Sequence, residues 1–207
     1  MPESSEASRL AVIFLASLLT NNIVLSHFLG MCSFIALSRS LKTAFGMGLA
    51  VVFVTFCTAV LNYLIYYGLL APGNPCGGAD LTYLTFLVFV LVIAGFVQLV
   101  EMILERFLPG LYFSFGIFLP LITVNCVILG TNLLMIEPDR HFGLGDAAVY
   151  ALGSGLGYLV AICLLAGIRT RLQPADVPRP LRGLGLTVII TGLLAMAFMG
   201  FTGMVDL

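Results

Sequence analysis

Two cysteines stand inside apolar stretches that are interrupted by helix-breaking or polar residues. Cys32 closes Asn21-Asn22-Ile-Val-Leu-Ser-His-Phe-Leu-Gly-Met-Cys32, and Cys126 closes Gly116-Ile-Phe-Leu-Pro120-Leu-Ile-Thr-Val-Asn125-Cys126. A thiolate is costly in hydrocarbon, and so are Asn, Gly and Pro breaking the helix that carries it. The combination is explained where the freed backbone and the sulfur face a protein-lined site or an inorganic cofactor. The pattern therefore points to a redox centre at membrane depth. One chain offers only two such thiols, so a four-thiolate cluster needs a second chain.

The polar neighbours allow two readings. Thr20, Asn21, Asn22, Thr123 and Asn125 either satisfy the broken backbone or line an ion path and support the sulfurs by hydrogen bonds. His27 precedes Phe-Leu-Gly-Met-Cys32 and is a possible ligand, but Cys126 has no matching histidine, as a mixed site repeated in both halves would require. Cys57 and Cys163 lie in uninterrupted apolar runs and read as packing residues. Cys76 lies in a Gly- and Pro-rich loop without an evident partner for a disulfide. Glu101, with Gln98 one turn earlier, reads as a boundary carboxylate that reaches water. Met31 and the phenylalanines read as packing or lipid-facing groups.

The elements that position these residues must cross a bilayer. Hydrophobic residues make up 60% of the 207-residue chain and charged residues 9%, with a mean hydropathy of +1.13, whereas soluble domains carry about 25% charged residues. The basic residues are strung along short loops, which excludes a nucleic-acid face. Met1 to Ser8 contains Glu3 and Glu6 but no basic residue, so the first apolar stretch lacks a signal peptide's n-region and is expected to be retained as a span. Spans of about 20 residues are expected near 9–38, 44–70, 81–104, 110–136, 146–168 and 183–204. These form a single all-α membrane domain over 1–207. The first and fourth exceed a straight crossing and are read as broken helices.

Three spans per half imply an inverted repeat, with halves near 9–104 and 110–204. Each half opens on a broken span carrying Asn and Cys. Each continues into a span with a Gly-x-Gly-Leu element, Gly46-Met-Gly48-Leu49 and Gly153-Ser-Gly155-Leu156. Cys32 and Cys126 are then expected to approach each other about a pseudo-two-fold axis. With the N-terminus outside, Arg39, Lys42, Arg106, Arg169, Arg171, Arg179 and Arg182 face the cytoplasm, against Arg9 and Arg140 outside. The positive-inside rule favours that arrangement.

Several phrases together carry a family resemblance. Phe28-Leu-Gly-Met-Cys32-Ser-Phe, Thr43-Ala-Phe-Gly-Met-Gly48, Gln98-Leu-Val-Glu101-Met-Ile-Leu-Glu-Arg106, the stretch Gly116 to Cys126, and Ala175-Asp-Val-Pro178-Arg-Pro-Leu-Arg-Gly-Leu-Gly resemble the membrane subunits shared by the sodium-translocating NADH:quinone oxidoreductase and the Rnf complex. The resemblance covers nearly the whole chain. The phrase ending in Cys126, with Ala79-Asp-Leu and Ala166-Gly-Ile-Arg169, is closer to the E-type branch. Thr20-Asn-Asn22 and Ala197-Phe-Met-Gly-Phe-Thr-Gly203 suit the RnfA-type branch of the ferredoxin:NAD oxidoreductase equally well.

The positive-inside count makes both termini periplasmic, and the resemblance implies a six-helix subunit in the bacterial inner membrane with an oppositely oriented D-type homologue. It implies that Cys32 and Cys126 supply two of four ligands to a shared [2Fe–2S] cluster that relays electrons across the bilayer. NADH, flavins and quinone would be bound by other subunits, among A, B, C and F. Sodium specificity is not legible in the residues themselves. Two other classes fit parts of the pattern: an inverted-repeat secondary transporter, which would more naturally place ionisable residues at the midplane, and an assembly scaffold, which leaves the two cysteines unexplained.

Overall fold

The computed structural model describes residues 3–70, 82–107, 122–123, 125–137, 142–173 and 183–201. Every element among them is helical. Helix α1 (Glu3–Leu15) runs into a π turn (Ala16–Thr20), followed by the short helices α2 (Ile23–His27) and α3 (Met31–Leu37). Helix α4 (Leu41–Ile65) continues into a second π turn (Tyr66–Leu70), and a 3₁₀ turn (Thr82–Leu84) leads into α5 (Thr85–Phe107). Then come α6 (Cys126–Leu134), α7 (Leu144–Leu172) and α8 (Leu184–Met199). Segments Leu41–Leu70, Thr85–Ile103 and Leu144–Leu172 are long and apolar enough to cross a membrane, and Leu184–Met199 is a shorter apolar helix.

Starts and ends follow from local chemistry. Ser40 Oγ accepts from the Thr43 N–H at 3.3 Å, capping α4. This begins α4 three residues before the expected Ala44. At α7 the Asp146 carboxylate accepts from the Gly143 N–H at 3.2 Å and pairs with Arg9 of α1 at 3.1 Å. An acidic first turn and Arg169 and Arg171 in the last turn both suit the dipole of this 29-residue helix. Helix α1 begins at Glu3, ahead of the apolar stretch.

Helices α4 and α7 form the centre. Gly48 faces Leu159, and Gly155 faces Val52. Because position 48 pairs with 159 and position 52 with 155, the two helices run antiparallel. Both pairs also obey one rule: Gly155 follows Gly48 by 107 residues, as Leu159 follows Val52. A Cβ on Gly155 would stand 3.0 Å from Val52 Cα, and one on Gly48 would stand 3.1 Å from Leu159 Cα. The two Gly-x-Gly-Leu elements thus let the backbones approach closely, as small residues do between membrane helices. Around them Met47, Val51, Ala161, Ile162 and Leu165 are fully buried.

The broken segments cross over to the opposite central helix. Gly153 and Gly157 of α7 receive Ser17, Leu18 and Asn22 of the first segment. Helix α6 packs on α4, where the buried Asn62 donates to Asn132 Oδ1 at 2.9 Å and Asn132 donates to the Ile128 carbonyl at 2.7 Å. Leu87 and Leu91 of α5 and Leu193 and Met196 of α8 are exposed, presenting apolar faces suited to lipid or to another membrane chain.

Pro120 and the first part of the expected 110–136 span, Cys76, Arg140, Arg179, Arg182 and the C-terminus lie outside the described residues.

Candidate functional site

The first broken segment has two interruptions. At the first, the Asn21 N–H bonds the Ala16 carbonyl at 2.7 Å, closing the π turn. Asn22 then caps α2, its Oδ1 accepting from the Val24 N–H at 3.2 Å. Its Nδ2 donates to the Gly157 carbonyl of α7 at 2.9 Å. At the second interruption Phe28 (φ 55°) and Gly30 (φ 80°) both take the left-handed conformation. Helix α3 then begins at Met31, which places Cys32 in its first turn. Ser33 Oγ donates back to the Gly30 carbonyl at 3.0 Å.

The second broken segment repeats the first device. Asn125 caps α6, its Oδ1 accepting from the Val127 N–H at 3.1 Å, and Cys126 is the first helical residue. Both cysteines therefore stand in first turns, where backbone N–H groups lack intrahelical partners and favour a negatively charged neighbour.

These two segments meet. Gly30 lies against Val127 and Asn125: a Cβ at position 30 would stand 3.1 Å from Asn125 Oδ1 and would overlap the Val127 side chain. Only glycine satisfies both that contact and the left-handed backbone. Tyr158 of α7, wholly buried, donates to Ser33 Oγ at 3.2 Å, and its oxygen lies within electrostatic reach of the Asn125 amide and the Cys32 thiol. One side chain of α7 thus adjoins the residue after Cys32 and the residue before Cys126.

Cys32 and Cys126 are both exposed. The two thiols open onto the surface of this chain rather than into its interior. Among the described residues no three His, Cys, Asp or Glu side chains gather in one place. Asn125 Nδ2 is buried on the inner side of the break, beside the Tyr158 oxygen. Two outward thiols fit half of a four-thiolate cluster.

Of the other residues singled out in the sequence, Asn22 and Asn125 serve the broken backbone. Thr20 is buried, its carbonyl accepting from Ser26 Oγ at 3.4 Å, while Asn21 and Thr123 are half-buried. His27 is exposed at the end of α2. Cys57 and Cys163 are half-buried within helices, Cys163 against the main core. Glu101 is half-buried and Gln98 exposed. Sequence reasoning alone misses Ser33, Tyr158 and Arg169. The signal available for Tyr158 is a phenol in a Gly-rich apolar span, where a buried hydroxyl needs a partner.

Residues 10–205 match the family described as Rnf-Nqr subunit, membrane protein. The chain is 48% identical over 195 residues to the E subunit of the Na(+)-translocating NADH-quinone reductase of Psychromonas ingrahamii, covering 92% of this chain and 96% of that protein. It is 48% identical over 191 residues to the protein of the same name in Neisseria meningitidis serogroup A, covering 92% and 95%. The Pseudoalteromonas translucida protein is 47% identical over 195 residues, covering 92% and 96%. On the strength of that coverage, and of a helical structure with membrane-spanning segments, the chain belongs to the Rnf-Nqr family of membrane subunits.

Proposed function

We propose that this chain works as the E-type membrane subunit of a sodium-translocating NADH:quinone reductase, and that Cys32 and Cys126 supply two of the four thiolates of a [2Fe–2S] cluster shared with a homologous D-type subunit. The observation that carries the reading is the pair of exposed first-turn thiols on two adjoining helix breaks, with no third ligand gathered beside them among the described residues. A four-thiolate cluster is then completed from outside. When bound, the cluster supplies one-electron transfer. This chain presents the two sulfurs, holds the break before Cys126 with Asn125 and covers the inner side of the site with Tyr158. NADH, flavins and quinone are handled by the A, B, C and F subunits.

The reciprocal Gly48–Leu159 and Gly155–Val52 contacts, and the crossing of each broken segment onto the other half's central helix, support a six-span 3+3 inverted repeat. At one end of the helices Arg9 pairs with Asp146; at the other, Arg169 contacts Ser38 next to Arg39. This separation supports an inner-membrane topology with Arg39 and Arg169 cytoplasmic and both termini periplasmic. Besides the phenols of Tyr150 and Tyr158, the buried polar residues among those described are Ser, Thr and Asn, with no Asp, Glu, His, Lys or Arg, which argues against a secondary transporter.

The test is iron analysis and EPR of the reduced assembled complex with and without Cys32→Ser. Loss of a [2Fe–2S] signal with retention of the other cofactors is expected. Unchanged iron and an unchanged spectrum would overturn the ligand assignment.

A further inference from the structure

A groove of about 570 Å³ opens where the turn after α3, the end of α7 and the start of α8 come together. Met31, Ile35 and Leu184 give it apolar walls, and Cys32 lines it too. The remaining lining includes two cations, Arg39 and Arg169, close enough to act on each other electrostatically. Arg169 is immobilised: its Nη1 donates to the Ile35 carbonyl at 2.9 Å and to Ser38 Oγ at 2.6 Å. Among the described residues no carboxylate lines the groove.

Two adjacent guanidiniums, one of them fixed, are mutually unfavourable until an anion lies between them. The arginines occupy the end of the helices, where basic pockets between spans meet lipid headgroups. Leu184 is largely exposed, so the apolar walls continue onto the lipid-facing surface. A free phosphate would use the arginines and leave the walls bare. An acidic peptide would bring polar backbone onto the same apolar walls.

We propose that this groove binds one anionic phospholipid, its phosphate on Arg39 and Arg169 and an acyl chain along Met31, Ile35 and Leu184. The chain runs toward Cys32 and shields that side of the thiol from water, a consequence that rests on the cluster reading above; the lipid site itself does not.

The experiment uses the assembled complex and a phosphatidylglycerol carrying an acyl-chain diazirine. Photolabelling of the peptide containing residues 31–39 is expected, falling at least about fivefold in Arg39→Gln but not in the neighbouring Lys42→Gln. In the wild-type complex, unlabelled phosphatidylglycerol should compete, whereas phosphatidylethanolamine and inorganic phosphate should not. This arm stands even if the variant fails to assemble. Equal competition by phosphatidylethanolamine, or labelling unchanged in Arg39→Gln, overturns the proposal. So does labelling of that peptide that unlabelled phosphatidylglycerol fails to compete away. Iron measured on the same sample separates this outcome from failure of the cluster reading: labelling without iron sinks the cluster and keeps the lipid site.

Discussion

Asn22 and Asn125 make the same bond at two helix starts, each side-chain oxygen accepting the backbone N–H two residues on, at 3.2 and 3.1 Å. They differ in the other atom of the amide. Asn22 Nδ2 reaches the Gly157 carbonyl, whereas Asn125 Nδ2 is buried beside the Tyr158 oxygen. The shared half is what a broken apolar helix needs. The unshared half ties each break to a different residue of α7.

Substitution of the two asparagines should therefore separate structure from redox tuning. Removing an N-cap costs about 1 kcal/mol, so Asn22→Ala and Asn125→Ala should each lower the thermal midpoint of the complex. Only Asn125→Ala should also shift the midpoint potential of the proposed cluster, because it loosens the helix start that carries Cys126. Redox-poised EPR on both variants checks this. Equal potentials in the two would remove Asn125 from the cluster's surroundings.

Tyr158→Phe deletes a buried hydroxyl bonded to Ser33 at 3.2 Å. Stability should fall by about 1 kcal/mol. Iron content should be retained, because no ligand is touched, while the EPR line shape changes through Ser33 and Asn125. Tyr158→Leu should lose iron as well, since it empties ring volume between the two ligand segments.

The thiols of an unassembled chain should be reactive. Cys32 and Cys126 are exposed, whereas Cys57 and Cys163 are half-buried. Expression without the D-type partner should therefore give a product lacking iron, whose Cys32 and Cys126 label with a small membrane-permeant maleimide faster than the other two. Mass spectrometry of labelled peptides reads the order. Serine at Cys57 or Cys163 should leave the cluster of the assembled complex intact.

Gly155→Val should be among the most damaging single changes outside the site. Even a Cβ there would stand 3.0 Å from Val52 Cα, a backbone atom that cannot swing away. Overpacking of this kind costs about 1–3 kcal/mol, and a β-branched side chain lies at the upper end. The amount of assembled complex in the membrane reports it. Gly167→Val, on the same helix with open space around its Cα, is the control and should assemble normally.

The sequence made the broken first span legible because Asn-Asn and Gly-Met-Cys interrupt an otherwise apolar run, and breaks in such runs carry a large penalty. The repeated Gly-x-Gly-Leu elements were visible as well, although their partnership was not. Nothing local in Gly48 says that it meets Leu159; that contact is set by two helices folding against each other. Tyr158 and Arg169 were missed for the same reason. Each makes its decisive bond to a residue more than 120 positions away. The exposure of Cys32 and Cys126 was also beyond sequence reading, since hydropathy identifies apolar surroundings without distinguishing an interior from a face awaiting another chain.

Helix α3 is held near both ends by one long helix: Tyr158 bonds Ser33 at its start, and Arg169 bonds the Ile35 carbonyl and Ser38 at its finish. Its seven residues span about 10 Å at the helical rise. A helix clamped in this way acts as a ruler. The distance from Cys32 to the basic rim of the bundle is set by backbone geometry rather than by side-chain reach, so on the proposed cluster reading an electron arriving from that rim meets a gap of fixed length.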